Sequence, residues 1–255
     1  MYPILFQIGP VTFKTLGLFL AFAFLASAFV LINHSVKRKL NLDFISDHLV
    51  SFLLVTFLAS RLFFVAGNWY KYTNDLMGIL KIQDGGFSFW GGFFGFTAIL
   101  FFWSYRKKAS FWKWFDIITL AGMFGLAISY VGFFFSGDFY GKPTELPWGV
   151  TFDNPEVRFT DPVHPTQFYG AIFALIIFFT LLFLARKKRK EGFISLMGIT
   201  LFTILSFVID FFLGDRLTIF SEFTVFQLIS GVVFVVALIT MIIRSQTKFK
   251  TNINT

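Results

Sequence analysis

The chain has 255 residues, of which 56% are apolar and only 14% charged, and its mean hydropathy is +0.73, a balance that belongs to membrane proteins and argues against a soluble fold. The absence of cysteine excludes disulfides, thiolate metal sites and a cysteine nucleophile. The net charge of +8 does not imply nucleic acid, because its basic residues cluster beside apolar runs, where membrane proteins hold their cytoplasmic turns.

A bilayer core of about 30 Å needs roughly 20 helical residues. Seven runs approach that length, near 13–32, 45–67, 87–103, 111–135, 166–185, 193–213 and 223–243, so the expected fold is all-α: one polytopic transmembrane domain over 1–255 with seven transmembrane helices. The opening MYPILFQIGPVTF has no positive n-region and no evident cleavage site, so the first helix is expected to be retained. Lys37, Arg38 and Lys39 follow that helix.

The second run carries Arg61 within ASRLFFV, at a depth where a buried cation is costly unless paired. Asp210, within SFVIDFF of the sixth run, falls at a similar depth, so an Arg61–Asp210 pair is one reading; snorkelling and a purely structural lock are the others. The third run opens with DGGFSFWGGFFG, residues 84–95, whose glycine pairs suit close helix packing; no phosphate-binding motif follows them. Arg106, Lys107 and Lys108 end it.

Beyond the fourth run lies a loop, 136–165, rich in Gly and Pro, in which SGDFYGKPTELPWGVTF brings Asp138, Tyr140, Lys142 and Trp148 into a polar and aromatic belt of fixed shape. DPVHPTQFYG then opens the fifth helix. Its Pro165 suits a first helical position and Gln167 suits half a capping box, which needs no function. His34 and His48 sit near helix ends without an acid or a second histidine at ligand spacing, and no metal or other cofactor is expected.

Arg186 to Lys190 follow the fifth run, and Arg244, Lys248 and Lys250 the seventh. Most cations therefore follow odd-numbered helices. Asp75, Asp84, Asp138, Glu145, Asp153, Glu156, Asp161, Asp215 and Glu222 lie in the opposite loops, which predicts an external N-terminus and a cytoplasmic C-terminus.

Read in order, FQIGPVTFKTLGL, ASRLFFV with NWYKY, the GG-x-S-F-x-GG block, GDFYGKPTELPWGVTF, HPTQFYG and FVIDFF resemble the prolipoprotein diacylglyceryl transferase family over nearly the whole chain. The resemblance implies seven helices, N-out and C-in, around a lipid cavity open to the outer leaflet of the bacterial inner membrane. It implies transfer of diacylglyceryl from phosphatidylglycerol to the lipobox cysteine of a prolipoprotein, making a thioether and releasing glycerol phosphate. The partners it implies are phosphatidylglycerol or another phospholipid and the prolipoprotein signal peptide.

Carried over by position, the resemblance marks Arg61, Asp138, Gly141, His164, Pro165, Gln167, Tyr169 and Asp210 as substrate-binding or supporting residues. It also exposes departures. The family's histidine falls at Trp90, its fourth-helix arginine and asparagine at Tyr130 and Phe133, its sixth-helix arginines at Ser206 and Leu213, and its first-helix tyrosine at Leu16. Arg216 lies three residues beyond Leu213 and is either a shifted phosphate-facing cation or an exposed loop arginine. Two functional readings follow: the family reaction in a remodelled site, and a catalytically silent homologue that binds lipid or a membrane partner. A transporter is a third, with few inward ionisable residues and no repeated halves to support it.

Overall fold

The computed structural model describes residues 3–9, 11–81, 85–152, 157–214, 216, 218–220 and 223–251. A short hairpin, β1 (Ile4–Ile8) with β2 (Val11–Lys14), runs directly into α1 (Thr15–Lys37). Then come α2 (Asp43–Ser46), α3 (Leu49–Gly67), 3-10 turns at Trp69–Lys71 and Leu76–Leu80, α4 (Phe89–Arg106) and α5 (Phe111–Ser136). Among its described residues the loop after α5 has isolated bridges, Pro143 and Val150 with Val163, rather than a strand; α6 (Thr166–Leu184), α7 (Phe193–Asp210), the small pair β3 (Thr218–Phe220) and β4 (Phe223–Thr224), and α8 (Val225–Thr251) follow.

Among the described residues, six helices are long and apolar enough to cross a membrane: α1, α3, α5, α6, α7 and residues 225–246 of α8. The expected third crossing does form a helix, α4, but glycines, Trp90, Trp103, Ser104 and Arg106 dilute its apolar character, and it is not among the six. The chain is a multi-pass α-helical membrane protein. Of the acids used for orientation, Asp84, Asp153, Glu156, Asp215 and Glu222 lie outside the described residues.

The contacts divide the chain into two compact units, one of residues 1–34 with 116–255 and one of residues 35–115. In the smaller unit, α3 and α4 pack through the glycines of the third-helix block. A Cβ on Gly91 would meet Phe63 Cβ at 2.4 Å and the Ala59 carbonyl at 2.7 Å, and one on Gly95 would meet Ala59 Cβ at 2.3 Å. These small residues, one turn apart, let two backbones touch, as in other membrane helix pairs. Packing therefore accounts for the block.

In the larger unit, Gly125 and Gly132 seat α5 against α1, where a Cβ would strike Ser27 and Phe19, and Gly198 seats α7 against Thr119 and Leu181. One buried charge organises this unit. Asp116, 2% exposed on α5, accepts the Gly192 N–H at 2.9 Å and the Ser195 N–H at 2.8 Å, one on each carboxylate oxygen. Gly192, in the left-handed conformation (φ 87°), brings the chain into α7 but has no side chain to cap it. Asp116 therefore caps α7 from a neighbouring helix, where its charge also suits the helix dipole.

Asp116→Ala would strip both amides of their acceptor inside an apolar bundle. The expected cost is about 2–3 kcal/mol, with Asp116→Asn, which keeps one acceptor oxygen, losing roughly half as much. Thermal unfolding in mild detergent measures it.

Candidate functional site

Arg61 is 6% exposed on α3. Its Nε donates to the Ile79 carbonyl at 3.1 Å, Nη1 to Gly85 at 2.5 Å and Gly86 at 2.9 Å, and Nη2 to Gly78 at 3.0 Å and Lys81 at 3.3 Å. A guanidinium has five N–H donors, so all are committed to backbone. Phe64, Tyr72 and Phe87 lie against its faces, with ring centroids 5.7–6.0 Å away. In place of the expected Arg61–Asp210 pair, each residue has partners inside its own unit: Arg61 the carbonyls of Gly78, Ile79, Lys81, Gly85 and Gly86, and Asp210 the side chains of Arg216 and Thr224. The reason is geometric, because the turns before α4, with Gly78, Gly85 and Gly86, offer carbonyls that match the guanidinium fork.

Asp75 supports the same segment from outside. Its Oδ1 accepts the Gly78 N–H at 3.1 Å and its Oδ2 pairs with Lys81 Nζ at 3.0 Å. The Lys81 ammonium first, and the Gly78 amide second, hold the Asp75 carboxyl below the usual carboxylate range. A carboxyl lowered by folding stabilises fully above its unfolded value and loses that contribution as pH falls through the lowered one. Hydrogen exchange at 76–81 should accordingly be unchanged from pH 8 to about pH 5 after correction for intrinsic rates, and rise only below the ordinary carboxylate range. The pair is exposed, so the effect is small.

Trp90 is 2% exposed on α4, between Phe89 and Phe93 in edge-to-face contact and Phe94 in a stack. The position that the resemblance gives to histidine is thus filled by packed aromatic surface.

The other marked residues all belong to the larger unit, where the end of α5, the 136–165 loop, the start of α6 and the end of α7 meet. The loop is tied down by backbone. Gly141 N donates to the His164 carbonyl and His164 N to that of Lys142, both at 3.0 Å; Lys142 N donates to the Phe212 carbonyl at 2.7 Å and Gly214 N to that of Tyr140 at 2.9 Å. Gly141 is required here because a Cβ would lie 2.4 Å from the His164 carbonyl oxygen. Tyr140, Phe152, Val157 and Val163 form a small apolar core beneath the loop. This interior is why a Gly- and Pro-rich segment holds one shape.

Thr166 Oγ1 donates to the Phe139 carbonyl and Gln167 Nε2 to that of Asp138 at 2.7 Å, which binds the loop to the first turn of α6. Gln167 is fully buried, and its Oε1 has no hydrogen-bond partner among the described residues. It does not form the expected half capping box, because the Asp138 carbonyl draws its amide across to the loop. Asp138 itself is exposed, with Ser136 Oγ donating to its Oδ2 at 2.6 Å. His164 Nδ1 lies 3.2 Å from Tyr169 Oη, which accepts the Trp148 Nε1–H at 2.8 Å, and the His164 ring meets Phe212 edge-on.

Asp210 ends α7, 4% exposed. Thr224 Oγ1 donates to its Oδ2, and Arg216 Nε faces its Oδ1 at 3.7 Å. Thr224 and Gln227 form a capping box at α8: Gln227 N donates to Thr224 Oγ1 at 3.1 Å and Thr224 N to Gln227 Oε1 at 3.0 Å. The Thr224 hydroxyl hydrogen is thereby freed for Asp210. Arg216 is no bare loop arginine. Its side chain is 30% exposed, against 1% for that of Asp210, and it lies over the Phe139 and Phe226 rings at 5.0 and 5.5 Å.

Lys142 is within electrostatic reach of Asp210, and Tyr130 is within reach of both Asp210 and Arg216. The Tyr130 ring packs on Gly170 of α6, where a Cβ would sit 2.5 Å from it, and the Phe133 and Phe139 rings meet at a tilt with centroids 4.7 Å apart. Ser206 is buried on α7 one turn before Asp210. The structure therefore sets Asp210 and Arg216 beside the Phe139 and Phe226 rings, with Tyr130 and Lys142 in electrostatic reach, and rests His164, linked through Tyr169 to Trp148, on Phe212.

Sequence reasoning missed Thr224 and Asp116 and gave Lys142 only a place in the polar belt. A T-x-x-Q pattern before an apolar run marks Thr224, while nothing local marks Asp116.

Comparison with known proteins bears on this arrangement. A family model described as prolipoprotein diacylglyceryl transferase matches residues 3–243. The phosphatidylglycerol–prolipoprotein diacylglyceryl transferase of Parasynechococcus marenigrum (strain WH8102) is 32% identical over 193 residues, covering 74% of this chain and 69% of its own. Proteins of the same name from Geobacter sulfurreducens and Clostridium tetani are each 28% identical, over 82% and 84% of this chain and 81% and 86% of their own.

Proposed function

The chain belongs to the prolipoprotein diacylglyceryl transferase family, and we propose that it moves the diacylglyceryl group of phosphatidylglycerol to the lipobox cysteine of a prolipoprotein. The observation that carries this reading is the extent of the match, which runs from the first hairpin into the last helix rather than over one motif. The protein works in the bacterial cytoplasmic membrane with seven crossings, α4 included, and with its N-terminus outside; the basic turns after α1, α4 and α6 and the basic C-terminal part of α8 support that orientation.

Displacing glycerol phosphate requires cations where negative charge develops on the leaving group. Arg216, with Lys142 near it, takes the part that Ser206, Leu213 and Tyr130 no longer supply. Asp210 holds the guanidinium from its buried side and leaves the more exposed part for a phosphate. Aromatic walls at Phe133, Phe139 and Phe226 suit acyl and glyceryl surface. Asp138, Gly141 and Gln167 shape the loop that borders this space, and Arg61 serves by fixing the external segment rather than by touching substrate.

Rescue of a transferase-depleted bacterium tests the function. Growth on expression of this chain supports it; failure to grow, with the protein inserted at normal levels, favours a silent homologue.

A further inference from the structure

Making a thioether requires a base for the lipobox thiol, since thiolate is the nucleophile. The position at which the family resemblance places histidine is Trp90, which cannot accept a proton. The chain has three histidines. His34 and His48 each direct Nδ1 to a carbonyl one turn back in their own segment, Val30 at 2.9 Å and Phe44 at 3.0 Å, and the buried His48 ring also packs against Trp103. Of the three, His164 has its Nδ1 against an ionisable side chain, that of Tyr169, and its ring rests on Phe212, two residues beyond Asp210.

An indole N–H only donates, so Tyr169 Oη accepts from Trp148. In the His164 tautomer that carries its proton on Nε2, Nδ1 accepts the Tyr169 hydrogen. The second lone pair of Tyr169 Oη is then left to accept a further proton. Both side chains are half-buried rather than sealed, and the Gly141 and Lys142 backbone bonds hold the His164 main chain in place. Phe212, against which the imidazole rests, follows Asp210 by two residues and accepts the Lys142 amide, so the pair and the ionic cluster share a wall.

Resting on the transferase reading, we infer that Tyr169 and His164 form the proton relay that generates the lipobox thiolate in this chain. The thiol hydrogen passes to Tyr169 Oη while the tyrosine's own hydrogen passes to His164 Nδ1, leaving a thiolate and an imidazolium. The sulfur then bonds to the phosphate-bearing glyceryl carbon of phosphatidylglycerol. That carbon's bond to oxygen breaks with its electron pair on the oxygen, and glycerol phosphate departs. The imidazolium returns its proton through Tyr169 to the departing phosphate, so no oxidant, reductant or co-reactant is needed. Tyr169 is the residue that touches the reacting atom. His164 is a positioning residue and proton store that acts through it, and Trp148 fixes the direction of the phenol.

A purely structural role, pinning the loop to α6, predicts something different. The test compares two lipobox peptides that differ only in cysteine or selenocysteine at the acceptor position; a selenol is already ionised at neutral pH and needs no base. With the full chain in phosphatidylglycerol vesicles, Tyr169→Phe should lower transfer to the cysteine peptide by about 10²-fold and to the selenocysteine peptide by less than about threefold. His164→Gln, whose amide still accepts the phenol hydrogen but cannot take up a proton, should give the same split. Retained transfer to selenocysteine also shows that each variant is folded. Equal losses on both peptides, or no loss on cysteine, overturn the relay while leaving the transferase reading intact; no transfer by the unaltered protein to either peptide overturns both.

Discussion

Arg216→Ala lowers the rate of diacylglyceryl transfer by about 10²–10³-fold, the loss expected when one charged donor is removed from a leaving oxyanion in a low-dielectric site. The expectation rests on placement. Arg216 is the cation at the buried Asp210 carboxylate, and its guanidinium lies between two aromatic rings in the unit that also holds Lys142 and Tyr130. Removing it has a second consequence, because Asp210 is then a buried carboxylate facing no guanidinium. The double variant D210N/R216A separates the two effects: neutralising Asp210 should restore thermal stability but not transfer. Arg216→Lys keeps the charge and loses the planar fork, and should fall between the unaltered protein and Arg216→Ala. Unchanged transfer in Arg216→Ala returns the residue to the surface and removes the shifted-cation account.

The second large effect is one of stability. Arg61→Leu removes five hydrogen bonds donated to the carbonyls of Gly78, Ile79, Lys81, Gly85 and Gly86, and each unmade buried bond costs about 1–3 kcal/mol. Water reaches part of this segment, so the sum does not apply; a net loss of about 3 kcal/mol is expected, which raises the population of the opened segment roughly 100-fold. Trypsin cleavage after Lys81 reports it directly, since the Lys81 carbonyl is one of those that Arg61 holds. Arg61→Lys, with three donors on a flexible stem, should recover only part of the protection. Wild-type cleavage rates in Arg61→Leu would show that the segment is held by something else.

Much of the helical plan was legible because apolar runs of bilayer length carry their own signal, and six of the expected seven appear as membrane-length apolar helices within a few residues of their predicted ends. The exception is instructive. The 87–103 run was expected to cross, and it does form a helix, yet its glycines serve contact with α3 and its tryptophans and serine lower the apolarity that length alone suggested. The site was legible as a list but not as a set of partners. Arg61 and Asp210 were both visible as costly charges at matching depth, and pairing them followed from the assumption that a buried charge seeks an opposite charge. Arg61 found backbone carbonyls instead, a solution that leaves no trace in residue identity.

Asp210 found Arg216, six residues along the chain, because the bend after α7 and the capping box at α8 turn the intervening segment back on itself. That bend is also why an arginine displaced from the helix returns beside the acid it would have accompanied. Asp116 stayed hidden for a similar reason. Its partners are two main-chain amides more than seventy positions away, and only the lack of a side-chain cap at Gly192 hinted that α7 must be capped from elsewhere.

The measurement that bears most directly on the account is transfer itself, with the purified full chain in vesicles of phosphatidylglycerol labelled in its acyl chains and a peptide carrying a lipobox cysteine. The account predicts that the peptide gains the mass of one diacylglyceryl group through a thioether, with one glycerol phosphate released for each. Inserted, folded protein that leaves the peptide unlabelled and releases no glycerol phosphate would contradict it.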